Sequence, residues 1–210
     1  MGPPDSIYLS FPRNDGATLL TGKKIVLRAF ERDDLTWLHK WQNDEEVMRL
    51  ARSAPDHTIS MVAVEAKYDK ILKGEDFAER GYIVEEKDTK RALGWASISI
   101  HQWNRRATSA DIGLAIGEKD FWQRGIGTET VDLLLKETFE QLNLHRVGWW
   151  TFAGNTASIA LAKKMGLKEE GRVRDSVFFD NKYHDSVVLG ILKSEYEELR
   201  RKHGHSSPNS

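Results

Sequence analysis

The spacing of hydrophobic positions changes repeatedly along this chain, and each change predicts an element. Lys24-Ile25-Val26-Leu27-Arg28-Ala29-Phe30 is a short apolar run that predicts a strand. Asp33 or Asp34 then caps a helix carrying Leu35, Leu38, Trp41 and Met48. A second helix follows Pro55, with Ile59, Val62, Ala63 and Ala66 spaced i, i+3, i+4, i+7, and Gly74 and Gly81 bracket its exit. Tyr82-Ile83-Val84-Glu85 and the run Leu93 to His101 predict a hairpin turning at Asp88-Thr89-Lys90-Arg91. Next, Ala110, Ile112, Leu114 and Ile116 alternate with Asp111, Gly113, Ala115 and Gly117. A strand of that kind packs a core on one face and lets a ligand approach its backbone on the other. After a loop from Glu118 to Arg124, a helix starts at Gly125 with Val131, Leu134, Leu135, Thr138, Phe139 and Leu142 on one stripe. A strand from His145 to Phe152 and a helix from Thr156 to Met165, closed by Gly166, come next. Strands near Gly171–Phe179 and Lys182–Ile191 and a polar helix from Ser194 complete the pattern.

Early helices, an antiparallel run and then strand–helix–strand–helix–strand predict an α/β fold: one mixed sheet with helices on both faces. The domain is expected over 23–197. Residues 1–22, with Pro3, Pro4, Pro12, Gly16 and Gly22, read as an irregular extension, and 198–210 as a polar tail. No internal repeat is visible.

Composition narrows the function classes. Lys+Arg is 31 against Asp+Glu 32 in 210 residues, so no surplus of basic charge points to nucleic acid. The one basic cluster, Leu199-Arg200-Arg201-Lys202-His203, ends a predicted helix and suits its dipole. No apolar run reaches the roughly 18 residues of a membrane span, and residues 1–22 lack a secretory signal's apolar stretch. There are no cysteines, which excludes disulfides, a thiolate nucleophile and Cys-ligated zinc and fits the reducing cytoplasm. His203 and His205 lack a carboxylate partner in the tail, so no metal is expected. The seven tryptophans read mainly as core anchors.

The segment Phe121-Trp122-Gln123-Arg124-Gly125-Ile126-Gly127-Thr128 joins a strand to a helix. Such a turn aims free N–H groups at one point, and the helix dipole favours an anion there. Gly125 and Gly127 clear the approach, and Arg124 can add a charge-assisted contact. The segment is therefore a candidate phosphate or pyrophosphate cradle. It is not a P-loop, since no G-x-x-x-x-G-K-[ST] is present, and Thr130 replaces the third glycine of the dinucleotide fingerprint. Nucleotide hydrolysis and hydride transfer both lose ground.

About thirty residues on, Asn155-Thr156-Ala157-Ser158-Ile159-Ala160-Leu161-Ala162-Lys163-Lys164-Met165-Gly166-Leu167 follows a strand. With both segments in view, the chain resembles the GCN5-related N-acetyltransferases (GNAT). F-W-x-x-G-I-G-T-E with N-x-x-S-x-x-L-A-x-K-x-G-L looks most like the ribosomal-protein, RimJ/RimL-like branch. Asp180-Asn181-Lys182-Tyr183-His184-Asp185-Ser186-Val187 and the opening strand with Asp33-Asp34-Leu35 match that branch too. The resemblance spans roughly residues 23–197 and implies a GNAT-type sheet, mixed and mostly antiparallel.

It also implies acetyl-CoA as co-substrate, its pyrophosphate on the backbone of Gln123, Arg124, Gly125, Ile126, Gly127 and Thr128. The pantetheine arm would run along Leu114, Ala115 and Ile116, with Asn155 beside it and Ser158 near the thioester sulfur. Two positions depart from the family. Trp122 replaces an Arg or Gln that often contacts phosphate, and Ala162 stands where many members carry the tyrosine that protonates the leaving thiolate. Ser158 is the substitute acid by analogy.

Acetyl transfer to an amine needs a base for the amine, donors for the thioester oxygen and a proton for the thiolate. With no cysteine and no G-x-S-x-G, direct attack in a ternary complex is expected. Asp111, on the ligand-facing side of its strand, is the first candidate base and Glu118, at the strand's end, the second. Otherwise Asp111 is a surface carboxylate, Ser158 a locally bonded helix serine and Asn155 a plain N-cap. His101 and Trp103 are candidate walls of the acceptor pocket; Tyr183, His184 and His145 read as structural. Leu50 to Asp56 and the Gly74–Gly81 loop are expected to shape the pocket. The expected function is an acetyl-CoA-dependent N-acetyltransferase whose acceptor is a small-molecule or protein amine: a protein N-terminus, a polyamine, an amino sugar, an aminoglycoside or an amino acid. The alternative is a non-catalytic acyl-CoA-binding module. A monomer or homodimer fits either.

Overall fold

A computed structural model describes residues 20–51, 58–76, 78–103 and 106–204. The strands are β1 Leu20–Thr21, β2 Ile25–Ala29, β3 Glu79–Glu86, β4 Ala92–Trp103, β5 Arg106–Ile116, β6 Arg146–Phe152, β7 Lys168–Phe179 and β8 Lys182–Leu192. The α-helices are α1 Leu35–Gln42, α2 Glu45–Ala51, α3 Met61–Leu72, α4 Ile126–Lys136, α5 Thr156–Lys164 and α6 Lys193–Gly204. The strands form one sheet in the order β1-β2-β3-β4-β5-β6-β8-β7. Every neighbouring pair is antiparallel except β5 and β6, which run parallel.

The sheet has a core on each face. On one side Leu35, Leu38, Trp41, Val64 and Tyr68 of α1 and α3 pack with Phe30, Ile83 and Ala92. On the other, the α4 stripe packs on the inward residues of β2 to β6 and β8. All six expected stripe residues, Val131, Leu134, Leu135, Thr138, Phe139 and Leu142, are buried. A π turn at Glu137–Gln141 continues the helix and keeps the last three on that face. Each large apolar side chain in such a stripe contributes about 1.5–3 kcal/mol.

Two early elements differ from expectation. The first helix breaks into α1 and α2 at Asn43 and Asp44. The Asn43 side chain reaches forward to the backbone of Ile59, and the Asp44 carboxylate accepts from the N–H groups of Glu46 and Val47, starting a new helix. The buried face of α3 is Val64 and Tyr68, not the expected Ile59–Val62–Ala63–Ala66 stripe. Ser60 caps the helix at Ala63 N–H, which leaves Ile59 ahead of it and Val62 73% exposed. At the ends, Leu20 and Thr21 pair with Leu27 and Val26 inside the expected extension, and α6 continues past residue 198 to Gly204. Residues 1–19 and His205 lie outside the described residues, as do residues 52–56 of the expected pocket segment and the side chains of Leu50, Trp103 and His203.

The feature that positions the site is a parting of strands. β5 and β6 pair only at Ser109–Arg146, Ala110–Val147 and Asp111–Gly148. Beyond Asp111, β5 keeps only β4, while β6 pairs with β8 as far as Phe152. A wedge opens between the two strands, and the N-termini of α4 and α5 both lie beside it.

Candidate active site

The loop into α4 turns through two left-handed residues, Gln123 (φ 59°) and Gly125 (φ 83°, the N-cap). Among the described residues, the N–H groups of Gln123 to Thr128 make no backbone–backbone hydrogen bond of good geometry. These donors sit in the loop and first turn of a helix, where the dipole adds positive potential and favours an anion. Lys24 Nζ donates to the Arg124 carbonyl at 2.9 Å, and the Arg124 guanidinium lies over the Phe121 ring at 5.2 Å. Glu129 accepts from Lys24 N–H at 2.8 Å and so ties α4 to the start of β2. Trp122, the departure from the family pattern, has a local reason: its indole donates to the Ile116 carbonyl at 2.8 Å and pins the loop to the end of β5.

The register of β4 and β5 fixes what faces the wedge. Gly117 N–H bonds to the Leu93 carbonyl, so Ala115 and Gly113 direct their backbone groups to β4, and Leu114 directs its own into the gap. A Cβ on Gly127 would stand 3.4 Å from Leu161 and 3.7 Å from Leu114. Leu114, Gly127 and Leu161 of α5 thus line one groove, with Ala115 and Ile116 next along β5.

Two polar side chains stand at the closed end of the wedge, on opposite faces of the sheet. On the α1–α3 face, Asp111 lies over Gly148, where a Cβ would come within 2.1 Å of its Oδ1. Its Oδ2 is 3.1 Å from His101 Nε2. On the α5 face, Ser158 Oγ accepts from Trp149 Nε1 at 2.9 Å, leaving the hydroxyl proton to be donated elsewhere. The Asn155 side chain accepts from Ser158 N–H at 3.0 Å, so it caps α5 as its plain reading expected.

Ala162 is fully buried in the α4-side core. A tyrosine there is overpacked: Ala162→Tyr is expected to lower stability by about 1–3 kcal/mol in a denaturant melt.

Glu118 lies elsewhere. It is buried, and its Oε1 accepts from Lys40 Nζ at 2.6 Å and Trp41 Nε1 at 2.7 Å, while Arg91 bonds Oε2. Burial pushes its carboxyl up, but hydrogen bonds from Lys40, Trp41 and Arg91 outweigh this and hold it at about 2. A carboxylate so occupied is a strut between α1, the β3–β4 turn and the loop after β5. Its pKa is depressed on folding, so its stabilisation is present above the ordinary carboxylate range and lost as pH falls toward 2. Glu118→Gln is expected to cost about 2–3 kcal/mol at pH 7 and much less near pH 2, read by thermal melts at both pH values.

On the Asp111 face, a cavity of about 560 Å³ lies between α3 and β3–β4. Phe30, Tyr68, Trp95, Asp76, Glu79 and Ser97 line it. Ser97 pairs across the strands with Gly113 and Ser99 with Asp111, so this cavity opens one register step from the closed end of the wedge.

A family model for the acetyltransferase (GNAT) domain matches residues 24–168. The chain belongs to the GNAT acetyltransferases. Spermidine N(1)-acetyltransferase from Vibrio cholerae is 26% identical over 173 residues, which is 82% of this chain and 95% of that protein. YdaF of Bacillus subtilis, provisionally named a ribosomal N-acetyltransferase, is 36% identical over 100 residues, 48% of this chain and 54% of YdaF. The crystal structure of the Vibrio cholerae enzyme in complex with CoA and spermine superposes with a TM-score of 0.74, at 26% identity, covering 84% of this chain and 99% of that one. As a GNAT enzyme, this chain transfers an acetyl group from acetyl-CoA to an amine.

Within this GNAT fold the sequence missed the ties that cross between elements. The supports from Trp122, Trp149 and Lys24 to the loop and the wedge are set by tertiary contact, and only the aromatic excess hinted at the first two. Among the described residues no group of three or more His, Asp or Glu is placed to hold a metal, and no helix is long and apolar enough to cross a membrane.

Proposed function

We propose that the N–H groups of Gln123 to Thr128 hold the pyrophosphate of acetyl-CoA, with Arg124 as a charged neighbour, and that its pantetheine follows Leu114, Ala115 and Ile116 into the wedge. The thioester then lies at the closed end, between Asp111 on one face and Ser158 on the other. Asp111 takes up a proton from the acceptor ammonium, the amine attacks the thioester carbon directly, and Ser158 supplies a proton toward the departing sulfur. Asn155 holds the first turn of α5, and Glu118 keeps a structural role. The observation that carries this reading is the pair of polar side chains on opposite sides of the one point where β5 and β6 part.

The acceptor enters from the α1–α3 face through the cavity beside Ser97. Asp76 and Glu79 on its walls are balanced by Lys67 and Lys70, and it is the three aromatic rings of Phe30, Tyr68 and Trp95 that suit a small cationic amine. The spermidine N-acetyltransferases among the relatives support a polyamine as the leading acceptor. The reaction belongs in the cytoplasm, consistent with a cysteine-free chain. The chain acts as a monomer or homodimer, and the partial match to YdaF supports the ribosomal-protein branch of the family.

The test is release of CoA thiol from acetyl-CoA with spermidine, an amino sugar, an aminoglycoside and a peptide with a free N-terminus. Spermidine is expected to give the highest kcat/KM. Turnover of the peptide alone would move the acceptor assignment to a protein N-terminus. Binding of acetyl-CoA with no turnover of any amine would replace catalysis with coenzyme binding.

A further inference from the structure

We infer that His101 is part of the base: the proton that Asp111 draws from the acceptor comes to rest on the imidazole, and the two side chains act as one proton-accepting pair. This rests on the site proposed above, in which Asp111 meets the acceptor. His101 and Asp111 stand on adjacent strands, one register step apart on the same face, with Nε2 3.1 Å from Oδ2. The Asp111 carboxylate occupies the space that a side chain on Gly148 would take. Both side chains keep about a third of their surface exposed, 39% for His101 and 34% for Asp111, so the pair touches solvent as well as the closed end of the wedge.

The chemistry asks for such a partner. A lone carboxylate ordinarily binds protons roughly 2.6 pH units more weakly than an imidazole, and it is a poor resting place for a proton taken from an ammonium near neutral pH. An imidazolium beside a carboxylate is a charge-assisted pair that holds the proton through the attack. The acceptor R–NH3+ gives one proton through Asp111 to His101 Nε2. The freed amine forms the N–C bond, the C–S bond breaks, and the second nitrogen proton ends on the coenzyme sulfur by way of the Ser158 hydroxyl. The products are the amide, CoA thiol and one proton, which leaves His101 for solvent.

Other ionisable groups face this region. Glu79 on β3 accepts from Ser99, Asp76 and Glu79 line the neighbouring cavity with Lys67 and Lys70 of α3, and Arg146 of β6 is engaged with Glu170. The contact of His101 with Asp111 is direct, Nε2 to Oδ2.

The experiment measures kcat, KM and the acetyl-CoA dissociation constant for the full chain and for His101→Ala, His101→Gln and Asp111→Asn. The probe amines are spermidine and n-butylamine, the second because it asks little of the pocket. His101→Ala is expected to lower kcat about 100-fold at pH 7. It should leave acetyl-CoA affinity and the melting temperature in place, and free imidazole should restore several-fold of the lost rate. The acid limb of kcat against pH should move toward the carboxylate range in that variant, and His101→Gln should not recover the rate. A normal rate and pH profile in His101→Ala, with Asp111→Asn impaired, overturns the inference and leaves the site intact. A loss in His101→Ala that imidazole does not relieve, with an unmoved acid limb, assigns His101 to structure and overturns it too. Normal rates in all three variants remove the site itself.

Discussion

Asp111→Asn is expected to lower kcat by about 100- to 1000-fold while the acetyl-CoA dissociation constant changes less than about twofold. The amide has the shape of the carboxylate and still fits over Gly148, so packing is preserved. It cannot take up a proton, and it presents a neutral group to His101 where a carboxylate stood 3.1 Å away. In the binding mode proposed above, the coenzyme's phosphates would meet the loop at residues 123–128 and its arm would follow β5 beyond residue 113, so its binding would not pass through residue 111. Stopped-flow or thiol-release kinetics give kcat, and calorimetry with acetyl-CoA gives affinity. Loss of affinity equal to the loss of rate would place Asp111 in binding instead. Near-normal kcat would remove it as the group that receives the proton.

Gly127→Asp is expected to weaken acetyl-CoA binding at least about 100-fold, roughly 2.7 kcal/mol, while the fold stays as stable or gains slightly. The position has room, since the nearest atoms to an added Cβ are 3.4 and 3.7 Å away on Leu161 and Leu114. It is the second residue of α4, where an acidic side chain complements the helix dipole and stabilises the helix by about 0.3–1 kcal/mol. The same negative charge sits among the N–H groups of the loop and first turn, where in the proposed binding mode it would compete with the diphosphate for them. Stability and binding should therefore move apart, which separates a ligand site from a merely well-made helix start. A thermal melt with and without acetyl-CoA reads both at once, because the coenzyme raises the midpoint only where it binds. An undiminished midpoint shift in the variant would remove the cradle.

The legible parts of the sequence were those whose signal is local. The α4 stripe is visible because residues 131 to 142 carry their own period, and Gly125 and Gly166 mark a helix start and a helix end by conformations that glycine adopts freely. The alternation of residues 110 to 117 assigns Asp111 to the face opposite the core residues Ala110 and Ile112, and there it stands. Illegible were contacts made between distant segments. Nothing near Asn43 announces that its side chain will bond Ile59 and break a helix. Glu118 resembles a base at a strand end until Lys40 and Arg91, 78 and 27 residues away, are brought onto it. The pairing of His101 with Asp111 depends on the register of two strands across a turn whose length the sequence leaves open. The candidate site was legible as a list of residues, and the division of roles among them was not.

The three-pair seam between β5 and β6 has a consequence for how the native state breathes. Of the two apolar cores only the α4-side one joins residues from both sides of that seam; the α1–α3 core draws on residues 30 to 95 and Trp122. The carboxy-terminal portion, β6 to α6, is thus fastened to the rest along one face. It should open as a subglobal unit at a lower free energy than the whole fold, with its amides trading hydrogen for deuterium ahead of those of β2 to β4. A pantothenate chain lodged in the gap would supply the missing rung, so coenzyme should slow that exchange most in β6 and in the first turn of α5.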